Sequence, residues 1–327
     1  MNERRLGKTG HRVGEIGFGA WAIGGAWGAL DDTTALRALH AAADAGVTFI
    51  DTADVYGDGH SERLIGRFLR ERSGERFVVA TKMGRRVPQE TANYTPEAFA
   101  AWTARSRENL GVESLDLVQL HCPPNEVFYR PELFAACDAL VAQGVMRAYG
   151  VSVEKVEQGL KAIEVPNLAS VQIIFNLARQ RPAERFLAEA KARDVAVIAR
   201  VPLASGLLTG KLSRETAFAE DDHRLFNRQG ERFDRGETFS GIDYETGLAF
   251  VEELRALVPE GATMSQLALR WILMHDGVSV AIPGAKTPEQ ARANAAASAL
   301  APLAPETMER IRALYDARIR PLVHARW

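Results

Sequence analysis

Short apolar, β-branched runs alternate along this chain with longer stretches in which apolar residues recur every three to four positions. A two-residue period marks a strand and a 3.6-residue period marks a helix, so the alternation predicts parallel strands connected by helices. A hairpin is expected around Arg4 to Val13. Strands are then expected at Glu15–Phe18, Thr48–Asp51, Phe77–Thr81, Leu117–Leu120, Arg147–Val151, Ser170–Ile174, Ala196–Arg200 and Val278–Ile282. Helical periodicity fills Thr33–Ala45, Ser61–Arg72, Pro96–Leu110, Pro131–Gln143, Pro182–Arg193 and Pro288–Ala297. Proline opens several of these, as its fixed φ favours at a first helical position. Eight strand–helix units in 327 residues predict a (β/α)8 TIM barrel with an N-terminal β-hairpin and a C-terminal helix and tail.

No low-complexity tract or flexible linker divides the chain, so residues 1–327 are expected to form a single barrel domain. The polar segment Ser213–Ser240, rich in Arg, Asp and Phe, breaks the periodicity and is expected to be a loop after the seventh strand. It either covers a ligand or runs over the surface. The tail, ending IRPLVHARW, is aromatic and basic enough to dock.

Hydrophobic residues at 46% and charged residues at 25% describe an ordinary globular chain with material for a large core. A formal net charge of -2 gives no global field for nucleic acid or an anionic membrane, which points to small-molecule partners. Oligomeric state is not legible. Two cysteines, Cys122 and Cys137, do not make a disulfide scaffold. With no secretory signal and no apolar run of about 20 residues, the expected location is the cytoplasm.

Polar residues stand where barrel enzymes carry chemistry, at the C-terminal ends of the expected strands. Asp51 ends the second in FIDTADVYG, Lys82 the third in FVVATKMG and His121 the fourth in LDLVQLHCP, with Tyr56 on the turn after Asp51. Reduction of a carbonyl needs hydride at carbon and a proton at oxygen, and Tyr56 suits the proton donor. A nearby ammonium favours a phenolate, so Lys82 is expected to lower the Tyr56 pKa, with Asp51 keeping the lysine charged. His121 is expected to hydrogen-bond the substrate oxygen. Gly17, Gly19 and Gly24-Gly25 do not make the G-x-G-x-x-G spacing of a dinucleotide-binding Rossmann fold, and no metal site is expected, since Asp51, His60 and His121 lack a ligand spacing.

The run Asp51-Thr52-Ala53-Asp54-Val55-Tyr56-Gly57, followed by Ser61-Glu62, makes the chain resemble the aldo-keto reductases over nearly its whole length, including branches that contain potassium-channel β subunits. The resemblance implies a catalytic tetrad of Asp51, Tyr56, Lys82 and His121, and NADPH as cofactor, with NAD as the alternative. It makes Ala20, Trp21 and Asp51 cofactor contacts, and places Ser152 and Gln172 on the nicotinamide carboxamide and Arg200 on the nicotinamide ring face. Pro202, Leu203, Ser205, Gly206 and Lys211 follow in ARVPLASGLLTGK. Gly284, Lys286, Gln290 and Asn294 in AIPGAKTPEQARAN match the adenosine end, Lys286 offering a cation to a 2′-phosphate, although Lys211 and Lys286 also read as solvated surface lysines. The chain departs from the pattern at Val153, where Asn is usual, and at Arg200, where an aromatic is common. An aldehyde, ketone or sugar is the implied substrate. The other readings are a redox-sensing subunit with little turnover, or a lyase or epimerase that uses its cofactor transiently. Trp21, Trp27, Phe128, the Ser213–Ser240 segment and the tail are expected to shape the pocket.

Overall fold

In a computed structural model of the chain, which describes residues 1–25, 27 and 30–327, a hairpin of β1 (Glu3–Arg5) and β2 (Arg12–Gly14) precedes eight parallel strands. These are β3 (Phe18–Gly19), β4 (Phe49–Asp51), β5 (Val78–Met83), β6 (Leu117–His121), β7 (Tyr149–Ser152), β8 (Ser170–Ile174), β9 (Ala196–Arg200) and β10 (Val280–Ala281), each beside its sequence neighbour. The sheet closes on itself. Ile16 bridges Ala281 and Gly19 bridges Gly284, with Gly17 N donating to Ala281 O at 2.8 Å and Ala281 N to Glu15 O at 3.0 Å. The expected barrel and hairpin are therefore present, and the first strand is displaced by a few residues because its early part joins the closing seam through single bridges.

The connecting helices are α1 (Asp32–Asp44), α2 (His60–Glu71), α3 (Pro96–Leu110), α4 (Pro131–Ala142), α5 (Val156–Ala162), α6 (Phe186–Ala192), α7 (His223–Phe226), α8 (Tyr244–Leu254), α9 (Met264–Leu273) and α10 (Pro288–Ala296). After the barrel come α11 (Pro305–Arg318) and α12 (Arg320–Val323). Proline occupies the first turn of α3, α4 and α10, and the Thr95 and Thr287 side chains accept from Ala98 N and Gln290 N as N-caps. Pro182 behaves differently from the expectation: it sits in a 3-10 turn, Arg181–Ala183, and α6 begins only after Arg185, whose φ of -143° interrupts the helix.

Side chains alternate between the barrel interior and the helix layer with the two-residue strand period. Phe49, Val78, Ala80, Leu117, Ala196, Ile198 and Val280 form the interior core, with Leu6 and Val13 of the hairpin joining it. Ile50, Val79, Val118, Val151, Val171 and Val197 face the other way, into the larger core beneath the helices or are buried beside it. Two positions beyond Phe49, Ala80 and Ile198 lie Asp51, Lys82 and Arg200, and four beyond Leu117 lies His121. The period that buries the apolar residues thus delivers the polar ones to one rim.

Ser213–Ser240 is not a solvated excursion. It contains α7 and 3-10 turns at Arg235–Glu237 and Phe239–Gly241, and it buries His223, Asn227, Glu237, Thr238 and Ser240. Among the described residues no helix is long and apolar enough to cross a membrane.

Candidate active site

The backbone turn Asp51–Gly57 is fixed from below: Thr52 N donates to Ala80 O at 2.8 Å, and Thr52 Oγ1 to Ser61 Oγ at 2.8 Å. Glu62 is fully buried and accepts from Thr81 Oγ1 at 2.6 Å and Asn109 Nδ2 at 2.8 Å, tying α2 to β5 and α3. This anchoring sets Tyr56 above the end of β5. Lys82 Nζ then reaches three oxygens, Asp51 Oδ2 at 2.7 Å, Thr52 O at 2.8 Å and the Tyr56 hydroxyl at 3.3 Å. The second Asp51 oxygen accepts from Gln172 Nε2 at 2.7 Å, and Ser152 Oγ donates to Gln172 Oε1 at 3.4 Å. The four tetrad residues come together, the Tyr56 and His121 rings lying 6.0 Å apart at 83°.

Charge and burial oppose one another here. Burial works against the Lys82 ammonium, but Asp51 and Tyr56 outweigh it and raise its pKa. Burial raises the Tyr56 phenol above its ordinary value, and Lys82 pulls it down without reversing the shift. The expectation of a lowered phenol is corrected: desolvation wins, and Asp51 and Glu237 add to it. Burial, reinforced by the charges of Arg85, Lys82 and Arg200, drives His121 well below the usual imidazole range, so the ring is neutral at pH 7.

Tyr56 and His121 open onto a cavity of about 570 Å³, a size suited to a small-molecule or cofactor site. Of the residues assigned by resemblance, Trp21, Asp51, Gln172, Arg200, Pro202, Leu203, Ser205, Gly206, Lys211, Gly284, Lys286, Gln290 and Asn294 line it. Lys82 and Ser152 sit behind the wall, 1% exposed. Ala20 does also: its amide donates to Asp51 O and its carbonyl accepts from Ser61 Oγ. Phe128 is packed in the core and the tail docks elsewhere, so neither belongs to the lining among the described residues. Trp21 and Trp27 do, with His223 packed on both at 4.6 and 4.4 Å.

Several lining groups escaped the sequence reading. Arg224, paired with Asp222 at 2.6 Å, and Glu237 come from the Ser213–Ser240 segment, while Thr209, Thr263, Ser265 and Glu289 add polar groups. At the start of α10, Lys286 is half-buried and its Nζ donates to Trp27 O. Burial and the charge of Arg224 lower its pKa. At and beneath the lining, Cys122, Glu154 and Glu237 bring their ligand atoms within 4.8 Å of one another, and Arg85 holds both carboxylates in an ion-pair cluster.

Residues 15–316 match the Aldo/keto reductase family. The chain belongs to that family. Among its relatives, the aldo-keto reductase YhdN of Bacillus subtilis is 31% identical over 90% of this chain and 87% of the relative. The NADH-specific methylglyoxal reductase of Escherichia coli is 28% identical over 91% and 93%. Among solved structures, the glycerol dehydrogenase AKR11B4 of Gluconobacter oxydans superposes with a TM-score of 0.78 at 31% identity, covering 97% of this chain and 96% of that one. An aldo-keto reductase from Klebsiella pneumoniae in complex with NADPH gives 0.70 at 26% identity, covering 96% and 95%. This aldo-keto reductase chain shares their fold, and in it Asp51, Tyr56, Lys82 and His121 gather at one rim of the barrel.

Proposed function

We propose that this protein is an NADPH-dependent oxidoreductase interconverting a carbonyl compound and its alcohol, with Tyr56 as the general acid. The observation that carries the reading is the Lys82 ammonium held between Asp51 and the Tyr56 hydroxyl at the wall of the cavity. A phenol raised by burial keeps its proton at neutral pH, as a donor must. The same ammonium stabilises the phenolate left behind, and Asp51 prevents burial from discharging the lysine. Neutral His121, which lines the cavity beside the phenol, offers a hydrogen-bonding ring that orients the substrate oxygen.

The cavity also fits a dinucleotide: Lys211, Arg224 and Lys286 supply cations for phosphates, and α10 presents its N-terminus beside Lys286. When bound, the nicotinamide supplies or accepts the hydride. Gln172 lines the cavity beside the tetrad as a carboxamide contact, with the Ser152 hydroxyl behind it, and the free 2′-phosphate of NADPH matches Lys286 better than the ribose hydroxyl of NADH. The relatives named reductases and dehydrogenases support the oxidoreductase reading, and the complex containing NADPH supports the cofactor, although the Escherichia coli relative is NADH-specific.

The test is Tyr56→Phe, which preserves the ring and removes the proton. Turnover of an aldehyde, followed by nicotinamide absorbance, is expected to fall by about 10²- to 10⁴-fold, with NADPH binding retained. Undiminished turnover overturns the assignment. Binding titrations are expected to show tighter NADPH than NADH, and the reverse order would remove Lys286 from the 2′-phosphate.

A further inference from the structure

Proton transfer by Tyr56 does not require the charge cluster that flanks it. Arg200, at the end of β9, is 7% exposed and lines the cavity. Its Nη2 donates to Val153 O at 3.2 Å and contacts Cys122 Sγ at 3.7 Å, while Nη1 stands 3.6 Å from Glu237 Oε1, beyond good hydrogen-bonding distance. Nε has no partner among the described residues. A guanidinium presents five N–H donors in a planar fork, and buried donors are almost always satisfied. This one is not.

Glu237 is engaged more closely by the other guanidinium: Arg85 pairs with it at 3.0 Å and with Glu154 at 2.9 Å. Burial pushes Glu154 up to about 7, with Glu237 adding repulsion, so Glu154 is only partly ionised at neutral pH. Burial likewise raises the Cys122 thiol and keeps it uncharged. Two permanent cations therefore face one firm carboxylate and one partial one. The excess is positive, and Arg200 carries it into the cavity.

We propose that Arg200 receives a carboxylate carried by the carbonyl substrate, with Arg85 as a second positive charge behind it and Glu237 as the neighbouring counter-ion that limits which anions enter. The proposal rests on the oxidoreductase reading and narrows its substrate class to short aldehydes or ketones bearing an acid group. A carboxylate matches the charge and the planar fork of the guanidinium where Arg200 lines the cavity, which an uncharged substrate cannot do. Glu237 favours a small anion that approaches Arg200 from its open side over a bulkier polyanion.

The experiment compares 4-oxobutanoate with its methyl ester, which keeps the aldehyde and removes the charge. The wild-type protein is expected to favour the acid by about 10- to 100-fold in kcat/KM, the range for a charged hydrogen-bonded pair. Arg200→Gln should bring the ratio near unity, Arg200→Lys should keep part of it, and Glu237→Gln should increase it. An unchanged ratio in Arg200→Gln, above all with weakened NADPH affinity, overturns the proposal by assigning the guanidinium to the cofactor. If Arg200→Gln does not fold, Glu237→Gln decides, since a constant or falling ratio is fatal. Calorimetry with succinate and dimethyl succinate needs no turnover: Arg200-dependent succinate binding without reduction of any carbonyl would sink the oxidoreductase reading and with it the substrate assignment, leaving only an anion site at Arg200, whereas reduction without charge selection would overturn this proposal and leave the oxidoreductase reading standing.

Discussion

Two aspartates three positions apart, one ending β4 and one in the turn after it, meet opposite fates. Asp51 receives Lys82 and Gln172, while Asp54 is 1% exposed and its Oδ1 has no hydrogen-bond partner among the described residues. Burial, then repulsion from Glu62, pushes Asp54 up to about 7. The unfolded group titrates near an ordinary aspartate, about 4, so between these values the folded protein binds the extra proton. Stability must fall as pH rises through that window and level off above it. Asp54→Asn removes this slope, and its gain over wild type should grow by about 2–4 kcal/mol between pH 4 and pH 8 in denaturant titrations; parallel curves would show that Asp54 is solvated. The tetrad was legible because each member ends a strand or the turn after one. Arg85, Glu154 and Glu237 were not, because they meet only through the fold: Arg85 and Glu237 stand outside the barrel strands and main helices, far apart in sequence, with no period to mark the inward face.

At the level of elements, strand and helix order followed from periodicity, and most differences lie at boundaries. The closing seam could not be read: β3 and β10 pair through short bridges in which backbone, not side-chain pattern, decides the register. Gly19 sits in that seam, and a Cβ there would lie 2.6 Å from Ile282 O, a backbone atom with little room to retreat. Gly19→Ala should therefore cost about 1–3 kcal/mol and lower Tm by a few degrees, with reduced turnover because Gly19 also lines the cavity. An unaltered Tm would mean that the seam yields and does not fix the rim. The capping box Thr263–Gln266 is a start signal for α9 that the apolar pattern alone did not isolate.

Across the whole molecule, the segment bearing Glu237 is fastened from distant parts of the chain. Ser205 Oγ donates to Glu237 O at 2.8 Å, Asn176 Nδ2 to Ser240 Oγ at 2.9 Å, and Trp327 Nε1 to Asp234 Oδ1 at 2.9 Å. The expectation that the tail docks is met here: the Trp327 ring lies 3.8 Å from the Arg179 guanidinium carbon, and Arg181 Nη1 donates to Trp327 O at 2.7 Å. Arg179 is itself buried, and burial lowers its pKa to about 9; the charge of Asp234, which Trp327 Nε1 engages, opposes that shift, and the Trp327 ring covers the guanidinium. Removing that face with Trp327→Ala exposes Arg179 to water and frees Asp234, while the strands beneath keep their own core. Hydrogen exchange should accordingly quicken in Arg235–Gly241 and leave β4–β6 protected, because local opening follows local contacts. Since Glu237 lies in the loosened stretch, KM should rise more than kcat falls. Uniform acceleration of exchange through the barrel would instead show that Trp327 supports the global fold, and unchanged exchange in Arg235–Gly241 would show that the remaining bonds hold the wall without it.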